Sequence, residues 1–250
     1  MNNSVSRALR LLELVAENGG RPMRLSALAA AIDAPRSTVH NILQSLIDRR
    51  FLEQVGESGY CLGIRAFEVG SAYALHMSPT RAAHVDLVEL SHEMGITAHF
   101  AVLDGAHVVY LEKEDPPGQA VRLASAVGAR LPAHLTAVGK AALAFSTEAD
   151  RARVDLTIRG TSRLAYTAAR LASDLEDVRR NGFALDEGET AAGICCVAAP
   201  VFNARAECCG SVGISYLNSD ALDGETVAGR VKSAASRISQ RLGAPSHQAI

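Results

Sequence analysis

The segment Arg36-Ser-Thr-Val-His-Asn-Ile-Leu-Gln-Ser-Leu-Ile-Asp-Arg49 constrains this chain more than any other. Its apolar residues fall at Val39, Ile42, Leu43, Leu46 and Ile47, the i, i+3, i+4, i+7, i+8 stripe of an amphipathic helix. The other faces carry Thr38, His40, Asn41, Gln44, Ser45 and Arg49, with no acidic group before Asp48. An ordinary solvated helix would carry Glu and Lys there. Short hydrogen-bonding side chains suit a nucleic-acid groove instead. Pro35 stands where it stops one helix and starts the turn into the next. Upstream, Leu25-Ser-Ala-Leu-Ala-Ala-Ala-Ile32 reads as a short helix with a cap near Ser26. Two short helices around Asp33-Ala34-Pro35 spell helix-turn-helix, whose second helix enters the major groove by its N-terminal end. A small helical bundle with no nucleic-acid role fits these two helices equally well.

The flanks favour DNA. Val5, Ala8, Leu9, Leu12, Val15 and Ala16 stripe a first helix that starts at Ser4 or Ser6 and stops at Asn18-Gly19-Gly20. After residue 50, Phe51–Val55 and Tyr60–Leu62 flank Gly56-Glu-Ser-Gly59, a hairpin with a glycine-rich tip. Three helices followed by a hairpin is the winged helix-turn-helix order. Residues 1–65 hold eight Arg, no Lys and six acidic residues, an excess of +2 in a chain whose net charge is −2. Arginine forks suit phosphate and guanine edges better than lysine does. Residues 64–74 read as a linker helix with Phe67, Gly70 and Ala74 aligned, broken at Ser78-Pro79, with Thr80 capping a second helix through Leu90.

Beyond this the pattern alternates. Thr97–Leu103 and His107–Glu112 form a hairpin around Asp104-Gly105, and Val121–Val127 reads as a third strand. Thr136 caps a helix carrying Val138, Ala141, Ala142 and Phe145; residues 147–166 show little periodicity; Leu171, Leu175 and Val178 mark a helix ending at Asn181-Gly182. Phe183–Leu185 is a short segment. Ile194–Phe202 and Cys208–Tyr216 are strands, Val227 to Ile238 a last helix, and the tail after Gly243 is loose. The fold class is therefore α+β, an antiparallel sheet with helices packed on it. No signal peptide opens the chain and no apolar run approaches the ~20 residues of a membrane span, so the expected compartment is the cytoplasm, with no membrane partner. Five Cys in 250 residues make no disulfide framework.

The last hairpin takes a register if its turn centres on Ala204-Arg205. Ile194 then faces Ser215 and Cys196 faces Gly213, all four on one side of the sheet. A branched aliphatic, a thiol, a hydroxyl and a glycine that leaves space make a small pocket floor; an ordinary strand would prefer Val or Ile at the small positions. Cys195-Cys196 and Cys208-Cys209 suggest a zinc site, but that register holds the pairs too far apart for one ion, so no metal is expected. Asp186-Glu187-Gly-Glu189 is an acidic loop, and Gly139-Lys140 near a helix start could hold an anion. Ala129-Arg-Leu-Pro-Ala-His134 is a loop. His84, His92 and His99 fall on different elements and default to solvated or core roles. No catalytic triad, metalloprotease motif or dinucleotide fingerprint is present, so no catalytic residue and no cofactor are expected. The rival is an enzyme or redox sensor using Cys196, which needs a lowered thiol pKa beside a base or cation. A scaffolding protein with a degenerate winged helix is a third class.

Taken together, the chain resembles the isocitrate lyase regulator (IclR) family of bacterial transcription factors over nearly its whole length. Ser6-Arg-Ala-Leu-Arg-Leu-Leu-Glu-Leu14, Leu25–Ala29, Pro35–Leu43 and Tyr60-Cys-Leu-Gly63 carry the N-terminal likeness. Leu131-Pro-Ala-His134, Gly139–Leu143, Arg179–Ala184, Asp186-Glu187, Gly193–Val201 and Ser211–Ser215 carry the rest. The resemblance implies a winged helix-turn-helix domain over 1–65, a linker helix over 66–78 and a GAF-like effector-binding and oligomerisation domain over 79–250. It implies a dimer or dimer of dimers on a palindromic double-stranded DNA operator, not an enzyme. In such a regulator Arg36, Ser37 and Thr38 would hold phosphates while His40, Asn41 and Gln44 reach base edges. The implied effector is a small organic or aromatic acid against Gly128, Ala129, Asp186, Ile194, Cys196, Gly213 and Ser215, its carboxylate received by the N–H groups of Gly128-Ala129 and the Ser215 hydroxyl. The sequence departs from the family at Asn41 and Cys195, where Arg is frequent, and at Gly213, where Ser is frequent. A missing hydroxyl and a roomier floor would favour a bulkier or less polar ligand.

Overall fold

The apolar stripe of residues 36–49 faces the core as its spacing predicts, with Val39 and Leu43 buried and Ile42, Leu46 and Ile47 half-buried against them. The computed structural model describes residues 4–56, 59–76, 78–118, 126–161, 166–220 and 222–245, and the chain divides into two units, Met1–His76 and Met77–Ile250. The first unit runs α1 (Ser4–Glu17), β1 (Met23–Arg24), α2 (Leu25–Ala31), α3 (Arg36–Asp48), β2 (Leu52–Val55), β3 (Gly59–Leu62) and α4 (Ile64–His76). Leu11 and Val15 of α1, Leu28 and Ala29 of α2, Val39 and Leu43 of α3, Leu52 and Tyr60 form one core. Asp33 holds a φ of 47° in the turn between α2 and α3, a left-handed conformation that Asp tolerates better than most residues. Pro35 occupies the cap position of α3. The expected cap at Ser26 is not formed: α2 starts after Arg24, without a side-chain cap, because its N-terminus continues directly from β1. The wing is an antiparallel β1-β3-β2 sheet with Leu52 opposite Leu62 and Met23 opposite Tyr60. Residues 57 and 58, at the expected hairpin tip, lie outside the described residues.

The second unit opens with α5 (Ser78–Met94), which begins at Ser78 rather than at Thr80. Pro79 sits in the first turn, where its missing N–H would have had no partner. Then come β4 (Thr97–Asp104), β5 (His107–Glu114), β6 (Arg130–Pro132), a 3-10 turn over Ala133–Leu135, α6 (Ala137–Leu143), α7 (Glu148–Ala152), α8 (Ala168–Asn181), β7 (Ala184–Glu187), β8 (Ile194–Phe202), β9 (Cys208–Leu217) and α9 (Gly224–Arg241). The strands form one antiparallel sheet in the order β6-β5-β4-β9-β8-β7. Helices α5 and α9 cover one face through Leu87, Leu90, Val227, Val231 and Ile238. Helices α6 and α8 cover the other through Val138, Ala141, Leu143, Leu171, Leu175 and Val178. With both faces covered, Val197–Phe202 is buried at every position.

Caps fix the second layer. Thr136 accepts the Gly139 N–H at the start of α6, as its position predicts, and Thr147 and Thr167 do the same for α7 and α8. Helix α7 is five residues long, too short for periodicity to reveal. The loop assigned to Ala129–His134 instead holds the edge strand β6, with Leu131 opposite Val108. Of the third strand expected over Val121–Val127, residues 121–125 lie outside the described residues, and Val127 and Gly128 form a turn. Between α5 and α9, the buried carboxylate of Asp86 takes Arg237 at 2.6 Å and also meets Arg241.

Candidate functional site

In α3 the buried stripe fixes what the other face presents. Val39 and Leu43 are locked into the core, so Arg36, Ser37, His40 and Asn41 are exposed, and Thr38 and Gln44 half-buried. Arg36, His40 and Gln44 follow one another at i, i+4, i+8, which spans about 12 Å at ~1.5 Å per residue and matches the ~12 Å width of a B-DNA major groove. Ser37 and Asn41 form the adjacent row. The cap residue Pro35 offers no side-chain acceptor, so the first-turn N–H groups point outward, where a phosphate is the matching partner.

The second unit carries a polar line across the sheet. Asp186 pairs with Cys196, Cys196 with Ser215, and Ser215 with Thr97, one residue from each of β7, β8, β9 and β4. The register expected for the last hairpin is corrected by two residues. Cys196 faces Ser215 rather than Gly213, and Ile194 faces Leu217 rather than Ser215. The tip is longer than assumed, closed by Asn203 N–H on the Glu207 carbonyl, and a bulge interrupts the ladder at Val201/Phe202. An even shift preserves the face, so Ile194, Cys196, Gly213 and Ser215 still share one side.

His99, to which sequence reasoning gave only a default solvated or core role, joins this line. Its Nε2 lies 2.8 Å from Ser215 Oγ, which lies 3.0 Å from Cys196 Sγ. Its ring meets Tyr110 edge-on at 5.4 Å, and its cross-strand partner is Lys113. Burial, with the nearby Lys113 charge, lowers the imidazole to about 4, so it is neutral. Burial, then the Asp186 charge, pushes the Cys196 thiol up to about 12. A nucleophile needs the opposite shift. Cys208 is likewise raised to about 12 by burial. Iodoacetamide labelling followed by intact-mass measurement is therefore expected to leave Cys196 and Cys208 unmodified in the native protein and to modify both after unfolding. Fast native labelling of Cys196 would contradict this.

Three expectations are revised here. Gly213 leaves no empty floor: a Cβ there would lie 2.9 Å from Ala198 Cβ and 3.0 Å from Val138 Cγ1, because α6 fills the space. Gly213→Val is thus expected to cost about 1–3 kcal/mol by overpacking, measurable by urea unfolding; unchanged stability would mean that α6 lifts freely from the sheet. Second, the N–H groups of Gly128 and Ala129 are already engaged, by the carbonyls of Tyr110 at 2.7 Å and Ala126 at 2.9 Å, and Ser215 Oγ is shared with His99 and Cys196. They do not stand ready for a carboxylate. Third, the acidic loop turns two of its three carboxylates inward and leaves only Glu187 exposed. Asp186 is buried, accepts the Glu189 N–H at 2.7 Å, and is raised to about 6, by burial first and its bond with Glu189 second. Lys140, expected as an anion holder, is buried against Glu189 at 3.2 Å. Arg170 reaches the same carboxylate at 2.5 Å.

The cysteine pairs sit at opposite ends of the β8-β9 hairpin, Cys196 opposite Ser215 and Cys208 opposite Phe202, or roughly 20 Å apart at ~3.3 Å per residue. No group of three or more metal-ligand side chains gathers among the described residues. Nor is any helix among them long and apolar enough to cross a membrane.

Comparison with known proteins bears on both units. Residues 4–56 match the IclR helix-turn-helix domain, and residues 72–240 match the bacterial transcriptional regulator IclR C-terminal family. The HTH-type transcriptional regulator XynR of Escherichia coli K12 is 32% identical over 251 residues, covering 97% of this chain and 98% of XynR. The crystal structure of an IclR transcriptional regulator from Alicyclobacillus acidocaldarius superimposes with a TM-score of 0.82 at 27% identity, covering 96% of this chain and 98% of the other. An IclR homologue from Microbacterium hydrocarbonoxydans, crystallised with 4-hydroxybenzoate, has the same fold, with a TM-score of 0.83 at 22% identity over 96% and 99% of the two chains. The family and the relatives are transcriptional regulators, and nothing in the thiol environment supports the enzyme alternative. A helix-turn-helix unit with an exposed polar recognition face, followed by an α+β unit with a curled antiparallel sheet, belongs to the IclR family of DNA-binding transcriptional regulators.

Proposed function

We propose that this regulator binds a palindromic operator as a homodimer or dimer of dimers in the cytoplasm, and that a small organic or aromatic acid in the second unit controls that binding. The division of labour is residues 1–65 for DNA, 66–78 as linker and 79–250 for effector and oligomerisation. Arg36, Ser37 and Thr38 hold phosphates, and His40, Asn41 and Gln44 reach base edges. The exposed apolar residues Val5 and Leu9 on α1 and Ile64, Phe67 and Tyr73 on α4 support a second copy on this unit. Phe67 is 71% exposed, an uncommon position for a large aromatic on a solitary unit.

The observation that carries the effector reading is the buried polar line Asp186–Cys196–Ser215 with His99, which lies in the second unit, whereas the recognition helix belongs to the first. The 4-hydroxybenzoate held by the Microbacterium relative supports an acid of that kind. Ile194, Cys196, Ser215 and Asp186 form one wall and Gly128-Ala129 another, while Gly213 lets α6 close the back. The ligand acts by preferring one of two states that differ in DNA affinity. The test is a gel-shift assay on the promoter fragment beside the protein's own gene, with a panel of acids. A retarded band whose midpoint moves at least several-fold with one acid is expected. No preference for that fragment or other genomic fragments over bulk competitor, with or without acids, would refute the proposal.

A further inference from the structure

Within the polar line, proton counting leaves one atom free. The Cys196 thiol, the Ser215 hydroxyl and the neutral His99 ring hold one mobile proton each. They make two contacts between them, Cys196 Sγ to Ser215 Oγ at 3.0 Å and Ser215 Oγ to His99 Nε2 at 2.8 Å. At the far end the Cys196 thiol faces the charge of the Asp186 carboxylate, its cross-strand partner. A carboxylate accepts and does not donate. A charge-assisted bond outweighs a neutral one, so the thiol proton goes to Asp186. Ser215 then donates to Cys196, and His99 donates from Nε2 to Ser215. The reverse polarity would leave the carboxylate facing a sulfur lone pair. With its proton on Nε2, the ring has a bare lone pair at Nδ1. That nitrogen is buried without a hydrogen-bond partner, in a side chain 2% exposed. Buried polar atoms without partners are uncommon and call for an explanation.

We propose that His99 is the specificity-determining residue of this effector site, accepting through Nδ1 a hydrogen bond from a hydroxyl on the effector. The inference rests on the effector reading above and names the ligand class within it: a hydroxylated acid that turns its hydroxyl, not its carboxylate, toward His99. A carboxylate aimed at Nδ1 would set lone pair against lone pair, with the Asp186 charge at the far end of the same line. The tyrosine ring edge-on to His99 holds the imidazole plane, so the acceptor has a fixed direction.

The experiment uses the full-length protein. Benzoate is titrated calorimetrically against 3- and 4-hydroxybenzoate, and propionate against lactate, into wild type and His99→Phe, which keeps a ring against Tyr110. For at least one pair, wild type is expected to bind the hydroxylated member about fivefold more tightly, the value of one net hydrogen bond. His99→Phe is expected to bind both members of that pair alike. Equal affinities in every wild-type pair, or an advantage that persists in His99→Phe, would overturn the proposal while leaving the acid site standing. If none of these acids bound wild type, the effector reading itself would fail. Independently of the variant's folding, the ¹⁵N spectrum of the wild-type histidines reads the tautomer: a proton on Nε2 supports the proposal, and a proton on Nδ1 overturns it.

Discussion

Glu189→Ala is expected to destabilise the second unit by about 3–5 kcal/mol, the cost of breaking a buried ion pair from one side. The Glu189 side chain is 7% exposed and that of Lys140 4%. Its carboxylate takes Lys140 Nζ at 3.2 and 3.3 Å, Arg170 at 2.5 Å and the Glu187 N–H at 3.1 Å. Asp174, the other anion near Lys140, stands at 3.7 Å and already receives the Tyr166 hydroxyl. Removing Glu189 therefore strands a buried ammonium, a guanidinium and a backbone donor together. Urea unfolding measures the loss. The control is the double variant Glu189→Leu with Lys140→Met, which removes both charges and should recover most of it, since apolar replacements of buried pairs are often near neutral. A single-variant loss under about 1 kcal/mol would mean that water reaches Lys140 and the network is not buried in solution.

Asn41→Ala is expected to reduce operator affinity by about 1–3 kcal/mol, roughly five- to 150-fold, while scarcely altering affinity for random duplex. Asn41 is exposed in the first half of α3, and its carboxamide offers the paired donor and acceptor that match adenine. Arg36→Ala should behave differently, weakening both duplexes alike and lowering the salt slope by about one unit. Binding measured at several salt concentrations separates the two. Equal loss on operator and random DNA for Asn41→Ala would move that residue from base reading to backbone contact.

What could be read from residues alone follows the range of the interactions involved. The recognition helix was legible because its evidence is local: Val39, Leu43 and Pro35 carry a period and a stop. The Thr136 cap and the Gly182 stop of α8, with φ 81°, were legible for the same reason. Strand β1, two residues long, and α7 had too few residues to show a period. Within the sheet, parity survived where distance did not. Ile194, Cys196, Gly213 and Ser215 were put on one face correctly, yet a longer tip and a bulge displaced their partners by two. His99 was missed because its importance depends on β4 lying beside β9, which brings it to Ser215, 116 positions away. Glu189 was missed because an acidic cluster in a loop looks solvated until α6 brings Lys140 beneath it.

The line Asp186–Cys196–Ser215–Thr97 draws one residue from each of four strands. It exists only when these four strands have paired, so an unfolded or half-folded chain would offer the proposed acid nothing to hold. A ligand that recognises only the closed sheet adds its binding free energy to folding, about 2.7 kcal/mol at a hundred times its dissociation constant. Chains that unfold are the ones that proteases remove. If the proposed acid binds on this line, the metabolite that retunes the regulator would also set its lifetime in the cell, coupling abundance to supply without any second device.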